Sequence, residues 1–78
     1  MAYNINAISE NIQEIITDNG SVVRVHLNHG EVTKATTNTN IPVNDLLCAE
    51  AVLVNVFHVN ANSMNLSVHG ESATIGVA

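Results

Sequence analysis

From Ala35 to its C-terminus the chain carries neither lysine nor arginine, and beyond Ala51 its sole charged residue is Glu71. A stretch so poor in charge, built of Val and Ala with Asn and Ser, is too apolar to be solvated on both faces, so the elements it forms are expected to lay one side against a core or a partner. At 78 residues the chain is expected to be one domain, 1–78. A domain of that size buries roughly 60–65% of the surface its unfolded chain exposes, which leaves stability marginal and makes help from a partner a natural expectation.

The charges that are present exclude some functions. Glu10, Glu14, Asp18, Glu31, Asp45, Glu50 and Glu71 stand against Arg24 and Lys34, for a net charge of −5. Grip on a nucleic-acid backbone needs clustered cations that release condensed counterions, and two dispersed positives do not supply them. No nucleic acid is expected as a partner. Charged residues make up 12% of the chain, about half the usual ~25%, so solubility must rest on asparagine, serine and threonine. Cys48 is alone and can form no intrachain disulfide, which fits a reducing compartment. Met1 to Ile8 lacks the basic and apolar segments of a signal peptide, and no apolar run approaches the ~18 residues of a membrane span. The expected location is cytoplasmic or in a virion, without membrane attachment.

Hydrophobic spacing predicts the elements. Ile5, Ile8, Ile12, Ile15 and Ile16 recur at three- and four-residue intervals with Glu10, Asn11, Gln13, Glu14 and Asp18 on the other side, which predicts a helix over about 6–18 stopped by Asn19-Gly20. Strands at about 22–27 and 31–36, joined through Asn28-His29-Gly30, predict a hairpin. Thr37 to Ile41 reads as a polar loop, and Pro42 opens a short helix at about 43–50 with Val43, Leu46 and Leu47 on one side. From Ala51 the pattern suits either one continuous helix or a strand. The β-branched content favours a strand at about 52–59. Met64, Leu66 and Val68, then Ala73, Ile75 and Val77, alternate with polar residues and predict strands at about 64–69 and 72–77. The expected fold is therefore α+β: an N-terminal helix, a hairpin, a short helix, then a three-stranded antiparallel meander, as one small sheet or partly open barrel.

No constellation in this pattern carries recognisable chemistry. His26 and His29 do not share a strand face, and Cys48, His58 and His69 are scattered singles rather than the close pairs of a zinc site. Cys48 lies between Leu47 and Ala49, where a thiol behaves as a small hydrophobe. Gly20, Gly30, Gly70 and Gly76 are isolated turn residues and form no phosphate cradle. No catalytic residue, cofactor or metal is expected, and the chain is not expected to be an enzyme.

Val23-Arg24-Val25-His26-Leu27-Asn28-His29-Gly30-Glu31-Val32, together with His69 near the last turn, resembles the first hairpin and terminal motif of the Sm-like and Hfq proteins. The resemblance implies a helix followed by five short strands in an RNA-binding ring. Lys34-Ala35 stands where that pattern has a glycine, residues 42–50 are an insertion, and the basic residues that grip RNA are missing.

The leading expectation is a non-enzymatic structural or interaction protein that self-associates or docks on a larger protein assembly, of the kind viruses and phages use as accessory or capsid-decorating proteins. Its candidate interface is the uncharged last strand, Ala73, Thr74, Ile75 and Val77, because an edge without lysine is open to strand addition. The alternative is a small acidic inhibitor or regulator of a host protein that presents Glu10, Glu14 and Asp18 on a helix face.

Overall fold

Tyr3-Asn4-Ile5-Asn6-Ala7 alternates apolar and polar side chains, and it is a strand. The computed structural model describes residues 3–37, 41–70 and 72–77. Within them lie β1 (Tyr3–Ser9), β2 (Ile12–Thr17), β3 (Val22–Asn28), β4 (Glu31–Thr37), α1 (Val43–Asn55), a 3-10 turn (Ala61–Ser63), β5 (Met64–His69) and β6 (Ser72–Val77). The strands form one sheet in the order β1-β2-β3-β4-β6-β5, every neighbouring pair antiparallel.

Residues 6–18 are thus not a helix but most of a hairpin. The three- and four-residue spacing of isoleucines has two other origins. Ala7 pairs with Gln13 and Ser9 with Ile12, so Ile8 is an extra residue in a bulge, which sets Ile5 and Ile8 three apart. Across the turn, Ile15 lies on the buried side of β2, while Ile12 and Ile16 lie on the other, because successive strand residues face opposite ways. Five β-branched isoleucines suit a pleated surface better than a helix. Asn19-Gly20 closes the β2–β3 turn instead of capping a helix, with the Gly20 N–H donating to the Thr17 carbonyl at 2.9 Å.

Strands occupy the segments expected near 22–36, and the turn between them needs two left-handed residues, His29 at φ 52° and Gly30 at φ 82°. Such a turn follows the right-handed twist of its flanking strands. Thr33 bulges from β4 between the pairs His26–Lys34 and Leu27–Val32 and donates its hydroxyl to the His26 carbonyl at 3.2 Å.

The largest departure follows Ala51. A single helix, α1, takes the place of the helix expected at 43–50 and of the first half of the strand expected at 52–59, and the chain then turns, so residues 52–77 do not form a three-stranded meander. β5 and β6 pair with each other, and β6 also joins β4. Val52 and Leu53 are helical because the core requires them there: Asp45, Cys48, Ala49, Val52 and Leu53, spaced i, i+3, i+4, i+7 and i+8, form the buried stripe. The packing gain of that stripe outweighs the weak β preference of Val52. Val43 and Leu47, grouped with Leu46 on one side of the expected helix, are 69% and 53% exposed, while Leu46 packs against the core. Nor does the Sm-like arrangement hold, since a strand stands where its leading helix would be and a helix separates the fourth and fifth strands. The polar loop expected at 37–41 lies at 38–40 outside the described residues.

The core is one layer thick. α1 packs against β2, and Ile15, Val23, Val25, Ala35, Val59 and Ile75 meet Cys48, Ala49, Val52 and Leu53 between sheet and helix. Asp45, buried in the first turn of α1, anchors it to the β2–β3 turn: Ser21 Oγ donates to Oδ2 at 2.5 Å and Asn19 Nδ2 to Oδ1 at 2.9 Å. A carboxylate at this end also suits the helix dipole. At the other end His58, left-handed at φ 59°, turns the chain so that the Val59 N–H reaches the Leu53 carbonyl at 2.9 Å.

Two outcomes follow from these helix ends. The hydroxyl of Ser21, opposed by desolvation and aided by Asn19 and Thr17, holds the Asp45 pKa below its ordinary 3.8. A depressed folded pKa contributes stability that is complete above the ordinary value and is lost as pH falls through the folded one. Asp45→Asn should therefore lower Tm at pH 7 and flatten the loss of stability below about pH 4, both visible in thermal melts from pH 2 to 7. His58→Gly removes about 1–2 kcal/mol of left-handed strain against about 0.5–1 kcal/mol of added backbone entropy. Its Tm should rise by about 2–4 °C, measured by calorimetry.

Candidate interaction surface

One helix about 10 Å wide cannot cover six strands spaced ~4.8 Å apart. The sheet therefore outruns its cover, and β1 lies beyond it. All seven residues of β1 are exposed, and among the described residues β1 pairs with β2 alone. On the helix side its alternation places Tyr3, Ile5 and Ala7, opposite Thr17, Ile15 and Gln13 of β2. Tyr3 and Ile5 are each 38% exposed, and Val56 at the end of α1, which shares a groove with Tyr3, is 40% exposed. Between strand and helix runs an open apolar groove of about 190 Å³ whose walls are Tyr3, Cys48, Ala51, Val52, Asn55 and Val56. Cys48 contributes its apolar bulk to that wall and is otherwise buried.

The opposite face of the sheet has no helix over it and is mostly polar. One cross-strand row runs Asn6, Glu14, Arg24, Thr36, Thr74 and Ser67, and the next holds Ile12, His26, Lys34, Gly76 and Asn65. Both basic side chains of the protein thus share this face with His26. Arg24 is paired with Glu14 at 3.1 Å, and His26 Nε2 lies 3.2 Å from the Thr36 hydroxyl. Desolvation, and then repulsion from Lys34 and Arg24, lower the His26 pKa below 6.5. A neutral imidazole flanked by two cations, one already paired, forms no concentrated anion site.

The strand expected to offer an open edge lies inside the sheet. β6 runs between β4 and β5, so its backbone has no free edge, and Ala73 to Val77 cannot accept an added strand. Ile75 is core, Val77 packs half-buried against it, Thr74 lies in the open polar row, and Ala73 pairs with Thr37 and Val68. Glu10 sits exposed in the β1–β2 turn, and Glu14 is engaged by Arg24 on the open face. With Asp18 in the next turn, the three acids form no helix face. His26, His29 and His58 are spread over the open face, a hairpin tip and the helix end, and the side chain of His69 lies outside the described residues. Among the described residues no three His, Cys, Asp or Glu side chains converge as metal ligands would, and no helix is long and apolar enough to cross a membrane.

The two strands that do lie at the sheet's edges are β1 and β5. Neither was the predicted edge, although the strict alternation of Tyr3-Asn4-Ile5-Asn6-Ala7 carried the signal for β1. Compared with protein-family models, curated proteins and solved structures, the chain matches none. Its surface must be read from its own chemistry.

The open face yields a direct check. Because burial is the larger cause of the lowered His26 pKa and Lys34 the next, Lys34→Ala should raise that pKa without restoring the ordinary value. Proton NMR titration of the ring resonances reads it. An unchanged pKa in the variant would mean that Lys34 does not face the imidazole.

Proposed function

We propose that this chain is a non-enzymatic interaction protein that works by associating with protein, either further copies of itself or a larger assembly. A single observation carries the proposal: an uncharged edge strand, exposed along its whole length, stands beside an apolar groove that the chain's own helix leaves open. Unpaired backbone groups along such an edge are complemented by another strand, and Tyr3, Ile5 and Val56 supply apolar surface to reward the contact. Marginal size points the same way, since a domain this short gains from burying more surface.

The uncharged last strand lies inside the sheet and offers no edge, and Glu10, Glu14 and Asp18 stand on a hairpin and its turns rather than on a helix. Self-association is the form tested first because it needs no second component. Sedimentation velocity should show a species larger than one chain that dissociates on dilution. Binding that favours the folded state raises Tm with concentration, by at least about 3 °C per tenfold increase for a domain of this size. A single-chain species with a Tm independent of concentration would count against self-association and leave only docking on a different protein.

A further inference from the structure

The outermost strands β1 and β5 share one chemistry. Tyr3, Ile5 and Ala7 on β1, and Met64 and Leu66 on β5, belong to the helix side of the sheet, while Asn4, Asn6, Asn65 and Ser67 belong to the open side. Neither strand contains Asp, Glu, Lys, Arg or Pro. Proteins usually guard sheet edges with such residues, inward lysines above all, against pairing with other chains. Both edges here are unguarded. Because every neighbouring pair of the six strands is antiparallel, β1 and β5 run in opposite directions. A second copy translated across the sheet therefore brings its β5 antiparallel to β1 of the first, with both helices on the same side.

Resting on the self-association proposed above, we infer that copies of this chain join head to tail, β1 of one pairing with β5 of the next. Tyr3 and Ile5 then meet Met64 and Leu66 of the neighbouring copy on the helix side, and Asn4 and Asn6 meet its Asn65 and Ser67 on the open side. Two considerations favour this over a two-fold dimer that pairs β1 with β1. First, a single kind of contact covers both free edges, whereas the dimer leaves β5 open with Leu66 48% exposed. Second, the dimer engages each copy through one strand edge only. Head-to-tail joining engages each inner copy twice. Such a contact closes into a ring or continues as a filament according to the rotation that sheet twist imposes at each step.

The test uses lysine as an edge guard. Ile5→Lys blocks β1 and Leu66→Lys blocks β5, both at positions already exposed. Circular dichroism confirms that each variant folds. Ile8→Lys, at the exposed bulge, and Ser67→Lys, on the exposed open side, are the replacements if one does not. Native mass spectrometry of the wild type should show assemblies of three or more chains, and each variant alone should fall to a single chain. Mixed one to one, the variants retain one intact β1 edge and one intact β5 edge, so they should form a two-chain species and nothing larger. A dimer formed by either variant alone, or a mixture that stays single-chain, would overturn the head-to-tail arrangement. Assemblies that survive both substitutions would overturn it too, while leaving self-association in place. A wild type that is a single chain would remove both.

Discussion

A single thirteen-residue helix has to close one face of a six-stranded sheet, and most of the structure answers to that mismatch. Thirteen residues span about 20 Å along the axis, but the helix is only about 10 Å wide, against a sheet roughly 24 Å across. The helix therefore covers only part of the sheet, and it packs against β2. Where it lies, Ile15, Val23, Val25 and Leu53 are almost wholly removed from water. Cys48 and Ala49 keep the contact close, because small side chains on the buried stripe let the helix settle near β2. Away from that contact the apolar side chains of β1 and Leu66 of β5 remain in water.

The position of the helix is set at its two ends as well as by its stripe. Pro42 precedes it without a side-chain cap, so the first turn depends on Asp45 and its bonds to Ser21 and Asn19. Those bonds cross from the helix to the β2–β3 turn, and they fix which side of α1 faces the sheet. A carboxylate this buried would be costly if left alone, and the donors that surround it are what make it tolerable. At the far end, His58 accepts a left-handed backbone so that Val59 can return to the core. The two devices fix where the cover lies, and they leave the residues of β1 exposed.

How far the fold was legible depends on which period governs each segment. Val22 to Leu27 alternates apart from Val22, and Glu31 to Thr36 keeps its β-rich character across the bulge at Thr33, so two short runs around a glycine turn read as strands, and strands stand there. Met64 to His69 and Ser72 to Val77 do the same. The N-terminal segment was misread because a bulge at Ile8 and the two-faced isoleucines of β2 together imitate helical spacing. Residues 52–55 were misread for the opposite reason, since their β-branched composition argued for a strand while burial of Val52 and Leu53 beneath the sheet made them helix. Of the candidate surface, only the absence of charge was legible. Tyr3 and Val56 are far apart in sequence, and nothing local says that they border one groove.

Composition and local pattern, which need no long-range contact, determined that this would be a β-rich chain, sparsely charged, with a single cysteine and with tight turns at Gly20, Gly30 and Gly70. Only the tertiary structure decided the order of the strands. By inserting β6 between β4 and β5, it withdrew the uncharged strand at 72–77 from the edge and exposed β1 and β5 instead. The physical reason is that side-chain alternation specifies which face of a strand is buried but not which neighbours it pairs with. That choice belongs to the packing of the whole sheet against its one helix.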